Sequence, residues 1–164
     1  MQQNARTQFT RVAFRHPTNP NNAYIRVRDE GSCITCSYKE VDKTKTIDQV
    51  KEIEFDVSNF DACVLFLKCI GLQQKAFQET YRETRKWRNL QITIDEWPWL
   101  KPFIEIEWAS SEEVEEAIQA LWYSIDDAIF GAVDEIYLIE LWIPTNIINN
   151  TEVITFDNPP QQFN

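Results

Sequence analysis

Three absences narrow the functions open to this chain of 164 residues. The formal net charge of −10 leaves no excess of positive charge, which excludes a broad surface for nucleic acid or for an anionic membrane. No apolar run approaches the roughly 20 residues that span a bilayer, and the N-terminus lacks the charged and apolar regions of a signal peptide. We therefore expect a soluble cytoplasmic protein that binds neither nucleic acid nor membrane.

A zinc centre is not indicated either. Cys33 and Cys36 form a C-x-x-C, but they lie in an apparent strand, where residues three apart face opposite ways. No second such pair follows, and His16 is the single histidine. We expect the four cysteines to be reduced structural thiols.

What the chain does contain is typical of a folded domain. Its hydrophobic content is 43% and its aromatic content 13%, too high for a disordered acidic chain. The length suits one domain. We expect residues 1–143 to form this domain and the polar, proline-bearing residues 144–164 to form a peripheral tail.

Hydrophobic periodicity predicts an α+β chain of about six antiparallel strands with helices between them. The predicted strands are NAYIRVRDE, SCITCSYKEV, VKEIEFDV, AFQETYRETRKW, NLQITIDEW and PFIEIEW. The predicted helices are SNFDACVLFLKCIGL, capped by Ser58 or Asn59, SSEEVEEAIQAL, and roughly 125–141. We expect Gly31 to form the turn of the first hairpin and Gly71 to end the first helix.

Charged residues recur on one face of these strands. They are Arg26, Arg28, Lys39, Glu52, Glu54, Arg82, Asp95, Glu105 and Glu107. Such alternation usually marks a solvated sheet face, where cross-strand pairs contribute roughly 0.2–1 kcal/mol each. If the face instead lined a cavity, the arginines would suit phosphate oxygens, and the glutamates would suit Mg²⁺ or Mn²⁺. Spacing leaves both interpretations open.

The order of these motifs resembles the CYTH superfamily of triphosphate tunnel metalloenzymes, and more closely its class IV adenylate cyclase-like branch. The resemblance covers about residues 11–123 through YIRVRDEG, TCSYKE, KEIEF, LKCIGL, YRET, ITIDEWPWL and FIEIE. It implies an antiparallel β-barrel that forms a tunnel, with helices packed outside. The implied activity is that of a phosphorus–oxygen lyase, converting ATP to cyclic AMP and pyrophosphate. The alternatives are hydrolysis of an inorganic, thiamine or nucleoside triphosphate in the same tunnel, and binding of a nucleotide or polyphosphate without turnover.

The resemblance also implies roles for individual residues. The phosphate-binding positions are Arg11, Arg26, Arg28, Lys39 and Arg82, of which Lys39 and Arg82 are the implied catalytic residues. The metal-binding positions, for Mg²⁺ or Mn²⁺, are Glu52, Glu54, Glu105 and Glu107. The implied partner is a nucleoside triphosphate or another triphosphate.

Two features depart from the family pattern. The E-x-E-x-K motif of the family's first strand is not found before Arg26, so the barrel is expected to be incomplete there. An open sheet edge can pair with a second chain, which would give a homodimer. Tyr81 also stands where the family often has a lysine before the arginine.

Glycine is scarce and tryptophan abundant. The chain has three glycines, where an average content of about 7% would give roughly eleven, and six tryptophans. Trp108 follows FIEIE where the resemblance expects glycine, Trp122 and Trp142 stand where glycine would end a helix, and Trp87 stands at an apparent bend. Trp97 and Trp99 fit the family's DEWPWL. We hypothesise that some of the first four are glycine positions, as would follow if UGA codons read as glycine had been translated as tryptophan. The alternative is a genuine aromatic residue at an exposed turn.

Overall fold

The computed structural model describes residues 2–3, 5–41, 50–88, 90–107, 111–129 and 131–158. The chain forms two compact units. The first unit is Gln8–Thr80 with Asn150–Asn164, and the second unit is Tyr81–Asn149 with Met1–Thr7.

The elements follow one another in a strand-rich order. The strands are β1 Gln2–Gln3, β2 Thr7–Arg15, β3 Ala23–Asp29, β4 Ile34–Val41, β5 Val50–Asp56, β6 Gln74–Trp87, β7 Leu90–Glu96, β8 Phe103–Glu107 and β9 Val153–Ile154. The helices are α1 Phe60–Cys69, α2 Ser111–Ala120, α3 Val133–Leu141 and α4 Thr145–Ile148, with a 3-10 turn at Ile125–Asp127. The predicted α+β class is confirmed, and the third predicted helix is in fact the 3-10 turn followed by α3.

In the first unit the strand order is β5-β4-β3-β2-β6. The pairs β2–β3, β3–β4 and β4–β5 are antiparallel, and β9 joins β6 in parallel at Phe77 and Gln78. The apolar side of β2, β3 and β4 packs against Leu67 of α1. The opposite side of these strands therefore carries the polar and charged residues.

The predicted ends of α1 are confirmed. Asn59 is the N-cap, and its side chain accepts a hydrogen bond from the backbone N–H of Ala62 at 2.8 Å. Gly71 follows the helix with a φ of 96°. Gly31 likewise has a φ of 79° in the turn after β3, where its N–H donates to the Asp29 carboxylate. Local chemistry is therefore sufficient to place these boundaries.

Strand β2 is not among the six strands that the sequence predicts. Phe9 is buried, yet it lies among charged residues, with the Arg28 guanidinium 5.8 Å from the centre of its ring. Val12 and Phe14 belong to the apolar cluster under α1. Because large apolar residues occupy both sides of β2, the simple alternation that marks a strand is lost.

In the second unit, β7 pairs antiparallel with β6 and β8, and β1 pairs with β6. Tyr137 of α3 is fully buried, and its hydroxyl donates to the backbone carbonyl of Pro98 at 2.9 Å. The rings of Trp97 and Trp99 meet it edge-on, at centroid distances of 6.5 Å and 6.2 Å. These contacts fix the turn between β7 and β8.

The segment beyond residue 143 forms α4 and β9, and both Ile148 and Ile154 are buried. The division into a domain of residues 1–143 and a peripheral tail of residues 144–164 stays a prediction. Within the described residues, no helix is both long enough and apolar enough to cross a membrane.

All four cysteines are free thiols, as predicted. Cys36 is buried in the apolar cluster under α1. Burial, together with the neighbouring thiol of Cys63, raises the pKa of Cys36 to about 11. The thiol therefore stays protonated at neutral pH, as a packing residue does.

Helices α1 and α2 end in the same hydrogen-bonded motif. After α1 the N–H of Leu72 donates to the carbonyl of Leu67, with Gly71 in the left-handed conformation. After α2 the N–H of Tyr123 donates to the carbonyl of Ile118, and Trp122 takes the left-handed position with a φ of 65°. Trp122 thus occupies the backbone conformation that glycine adopts in this motif.

Trp142 shows the same property at the end of α3, with a φ of 59°. Trp122 is 96% exposed and Trp142 is 84% exposed, so neither ring gains burial that offsets its backbone conformation. Both therefore stand at glycine-type positions, as predicted. Trp87 instead ends β6, with a left-handed φ of 54° at the following Arg88.

Two further tryptophans complete this comparison. Trp99 also has a left-handed φ, 68°, although it fits the family motif. Trp108 lies outside the described residues. The codon explanation for these tryptophans stays a hypothesis.

We predict that Trp122→Gly and Trp142→Gly each raise the free energy of unfolding by about 1 kcal/mol, because glycine has no Cβ to strain in the left-handed region. Urea denaturation of the purified variants measures this. Trp87→Gly is the matched control and should lower stability, since glycine weakens a strand. If both helix-end variants were less stable than the parent chain, the conclusion that Trp122 and Trp142 occupy glycine-type positions would be wrong.

Candidate functional site

One side of the first unit's sheet is a charged face. Residues directly opposite each other on antiparallel strands share a face. Arg26 lies opposite Ser37, which lies opposite Glu54, and Lys39 lies opposite Glu52. We use "charged face" for the set Arg11, Arg26, Arg28, Thr35, Ser37, Lys39, Glu52 and Glu54.

The part of the charged face on β3 and β4 is not a freely solvated surface, whereas Glu52 and Glu54 on β5 are exposed. The side chains of Arg26 and Arg28 are only 12% and 17% exposed. Ser37 and Thr35, which lie directly opposite these two arginines on β4, are buried. These four residues therefore do not lie on an ordinary solvated sheet face. They line a sheltered, charged surface.

Ion pairs on this face are of unequal quality. The Lys39 ammonium lies 3.3 Å from a Glu52 carboxylate oxygen. The Arg26 guanidinium lies 3.8 Å from both Glu52 and Glu54, and that of Arg28 lies 3.9 Å from Glu54. Arg28 also makes a close pair with Glu30. The contacts of Arg26 are beyond hydrogen-bond distance, so its guanidinium is attracted to the glutamates without being bonded to them.

The charged face contains buried polar atoms that lack a hydrogen-bond partner among the described residues, and two of them lie on directly opposed residues. These two are Nε of Arg26 and Oγ of Ser37. An unsatisfied buried polar group costs about 1–3 kcal/mol, so native proteins seldom keep one without a use for it. Each of these two atoms can therefore still take part in a further hydrogen bond.

Arg11 extends the charged face onto β2. The register of β2 and β3 places it directly opposite Arg28. Its guanidinium donates to the Thr80 hydroxyl at 2.9 Å. Like charges in directly opposed positions repel, so opposite charge near these two arginines stabilises this part of the face.

A second charged cluster lies in the second unit. Arg82 donates to both carboxylate oxygens of Asp95, at 2.6 Å and 2.5 Å, and to Glu105 at 2.6 Å. Asp95 is 2% exposed, whereas the Glu105 side chain is 47% exposed. Asp95 therefore fixes the orientation of Arg82, and Glu105 is its more replaceable partner.

A cation also lies beside Tyr81, the position where the family often has a lysine. The Arg6 guanidinium lies 3.5 Å from the centre of the Tyr81 ring and donates to both Glu96 carboxylate oxygens, at 2.6 Å and 2.7 Å. These hydrogen bonds lower the pKa of Glu96 and raise that of Arg6. The positive charge comes from a residue far away in sequence, which a linear motif does not reveal.

The structure thus groups most of the predicted site residues within units. Arg11, Arg26, Arg28, Lys39, Glu52 and Glu54 share the charged face of the first unit, and Arg82 contacts Glu105 in the second. Glu107 is the last residue of β8, and its side chain lies outside the described part. Sequence reasoning did not assign roles to Ser37, Asp95 or Arg6. The period-2 pattern already lists Asp95 among the charged residues of one face, and it would have placed Ser37 on the charged side of its strand too.

The glutamates fit one kind of metal site. Across the described ranges, no group of three or more His, Cys, Asp or Glu residues could hold a metal ion. Glu52 and Glu54 nevertheless offer two carboxylates on one face of β5. Mg²⁺ is commonly held by one or two carboxylates together with substrate phosphates and water. Glu52 and Glu54 would therefore hold such an ion together with ligands from outside the chain, rather than enclose it on their own.

The fold and the charged face define an antiparallel α+β protein with a sheltered cationic surface. The CYTH domain model matches residues 14–126, well over half of the chain. The chain therefore belongs to the CYTH domain family, a family of triphosphate-binding tunnel enzymes that are metal-dependent. Membership of the class IV branch stays a prediction.

Solved structures agree with this fold. The PH1012 protein of Pyrococcus horikoshii OT3 matches with a TM-score of 0.67 at 19% identity, over 82% of this chain and 85% of that one. A conserved hypothetical protein of Pyrococcus furiosus matches with a TM-score of 0.64 at 18% identity, over 81% and 84%. A Bacillus halodurans protein that carries the provisional name adenylate cyclase matches with a TM-score of 0.54 at 12% identity, over 80% and 83%. At these identities the likeness shows the fold alone. No curated protein sequence matches the chain.

We predict that Asp95→Asn lowers the free energy of unfolding by about 2 kcal/mol, because it removes the buried half of the Arg82 pair. The matched variant Glu105→Gln removes the exposed half and should cost less than about 1 kcal/mol. Urea denaturation measures both. If Glu105→Gln lowered the free energy of unfolding more than Asp95→Asn did, Glu105 rather than Asp95 would be the carboxylate that fixes Arg82.

Proposed function

We propose that the charged face binds the triphosphate of ATP and that the chain converts ATP to cyclic AMP and pyrophosphate. The observation that carries the proposal is Arg26: a largely buried arginine whose Nε has no hydrogen-bond partner among the described residues, beside Arg28 and Lys39. A cation kept in this state is suited to a ligand with several anionic oxygens.

The proposed roles follow from the chemistry of each side chain. Arg26 and Arg28 present planar forks that match phosphate oxygens, and Lys39 adds a compact charge on the neighbouring strand. Arg11, opposite Arg28, extends the cationic surface onto β2. Together these residues would orient the triphosphate and offset the charge that develops on departing pyrophosphate. In the reaction the ribose 3′-oxygen bonds to the α-phosphorus, the bond from that phosphorus to the pyrophosphate oxygen breaks, and the hydroxyl proton is released.

Glu52 and Glu54 are the proposed holders of Mg²⁺ or Mn²⁺. Such an ion, when bound, would polarise a phosphoryl oxygen and neutralise charge on the leaving group. Both carboxylates lie 3.8 Å from the Arg26 guanidinium, so residues that would hold the ion and a residue that would bind phosphate are neighbours on this face. The family resemblance alone supports two further roles. It supports catalytic roles for Lys39 and Arg82, and metal binding by Glu105 and Glu107.

Cyclisation is proposed ahead of hydrolysis because the motifs resemble the class IV branch. The fold match to the Bacillus halodurans protein agrees with this choice without testing it. Binding without turnover is the second candidate. It is favoured by one observation: in the part of the chain that the structure describes, no three or more potential metal ligands come together.

The test is to incubate the chain with ATP and either Mn²⁺ or Mg²⁺ and to separate the products by ion-exchange chromatography. We expect cyclic AMP and pyrophosphate. Formation of ADP and phosphate would show that the chain hydrolyses ATP instead of cyclising it. Tight ATP binding with no product would show that the chain is a binding module without turnover. Absence of ATP and triphosphate binding would overturn the whole proposal.

Arg26→Met tests the charged face in the same assay. Loss of a charged hydrogen bond to phosphate, about 1.5–3 kcal/mol, predicts a fall in kcat/KM of roughly 10- to 150-fold. Arg88→Met is the matched control, since Arg88 is 64% exposed and pairs with Glu116 in the second unit. Equal losses for the two variants would show that general charge, rather than Arg26, governs turnover.

A further inference from the structure

We infer that the Ser37 hydroxyl and the Arg26 Nε–H together bind one phosphate oxygen of the ligand, which makes Ser37 a further binding residue. The inference rests on the proposed function, because it adds a residue to the same triphosphate site. The family resemblance assigns no role to Ser37. Three features of the first unit support this role for Ser37: the strand register, its burial and the hydrogen bonds of the neighbouring hydroxyls.

The register places the two donors side by side. Ser37 of β4 lies directly opposite Arg26 of β3. Directly opposed residues have Cβ atoms roughly 4.5–5.5 Å apart, so their side chains leave the sheet together. One oxygen that reached the space above the pair would accept a hydrogen bond from both side chains, and because both donor atoms are buried, its entry would require the side chains that cover them to move aside.

Burial makes the pair unusual. Ser37 is 1% exposed, and neither its Oγ nor the Arg26 Nε has a hydrogen-bond partner within the described ranges. A buried hydroxyl that stabilised the fold would be bonded to a neighbour. An alanine at this position would fit the sheet and leave no unsatisfied polar group. The serine instead places a hydroxyl donor here.

Neighbouring hydroxyls are already engaged. Thr35, two residues away on the same face, donates to Glu54 at 3.4 Å. Thr80 accepts from Arg11 at 2.9 Å. Of these three buried hydroxyls, Ser37 is the one with no hydrogen-bond partner among the described residues.

The ligand chemistry follows from the two donors. Arg26 can only donate, and it carries a charge, so the shared acceptor is an anionic oxygen. A ribose hydroxyl would satisfy Ser37 but would gain nothing from the guanidinium charge. A phosphate oxygen satisfies both, so inorganic triphosphate is a sufficient probe without a nucleoside.

The experiment measures the binding of inorganic triphosphate by calorimetry, with urea denaturation of the same proteins. Ser37→Ala should weaken binding about tenfold or more, while the free energy of unfolding does not fall, because the lost hydroxyl had no partner. Ser32→Ala, at an exposed serine in the turn after β3, is the matched control and should bind as the parent chain does.

The outcomes separate the inference from the function on which it rests. If the parent chain does not bind triphosphate, the proposed function fails and the inference with it. If the parent binds and Ser37→Ala binds equally well, only the inference is overturned. If Ser37→Ala loses stability as well as affinity, or if Ser32→Ala weakens binding to the same degree, a binding role for the hydroxyl is likewise overturned.

A double-mutant cycle tests the shared oxygen itself. Arg26→Lys keeps the charge but removes the Nε–H donor. In that background Ser37→Ala should weaken triphosphate binding less than about threefold, since the common hydrogen-bonded oxygen is already lost. A full tenfold loss in the lysine background would show that the two residues bind different atoms.

Discussion

Positive charge on a sheltered sheet face is the constraint on which the rest of the first unit depends. Arg11 and Arg28 are directly opposed across β2 and β3, and Arg26 precedes Arg28 by two residues on the same strand. Removing such charges from water is costly unless opposite charge is close. Glu30, Glu52 and Glu54 provide that charge, but the carboxylates beside Arg26 stay beyond hydrogen-bond distance. The face is stable enough to form and incompletely neutralised, which is the state an anion-binding surface needs.

The arginines of the two units differ in how closely they are paired with carboxylates. In the second unit Arg82 is bonded by the buried Asp95 and by Glu105, so its position is fixed and its charge balanced. In the first unit Arg26 has only long contacts to its glutamates. The same residue type is thus fully paired within the chain in one unit and held only by long ion-pair contacts in the other, where we propose that a ligand binds. Family motifs identify both arginines but do not distinguish these states.

Much of the fold and of the charged face was predictable from sequence, because local rules determine it. The period-2 spacing of Arg26 and Arg28 fixed their common side, and the helix cap at Asn59 and the left-handed Gly71 followed from residue chemistry. What depended on tertiary contacts was not predictable. Strand β2 was missed because Phe9 lies beside Arg28, and the Arg6–Tyr81 contact joins residues distant along the chain. The left-handed φ of Trp99 likewise follows no family expectation.

The central claim is that Arg26 binds a triphosphate ligand directly, and the Nε–H signals of the arginines in a nitrogen–proton correlation spectrum test it. Titration with inorganic triphosphate should shift the Arg26 signal in proportion to occupancy, while that of Arg88 stays in place. The account would be contradicted if no arginine signal moved at saturating triphosphate, or if Arg88 shifted as far as Arg26.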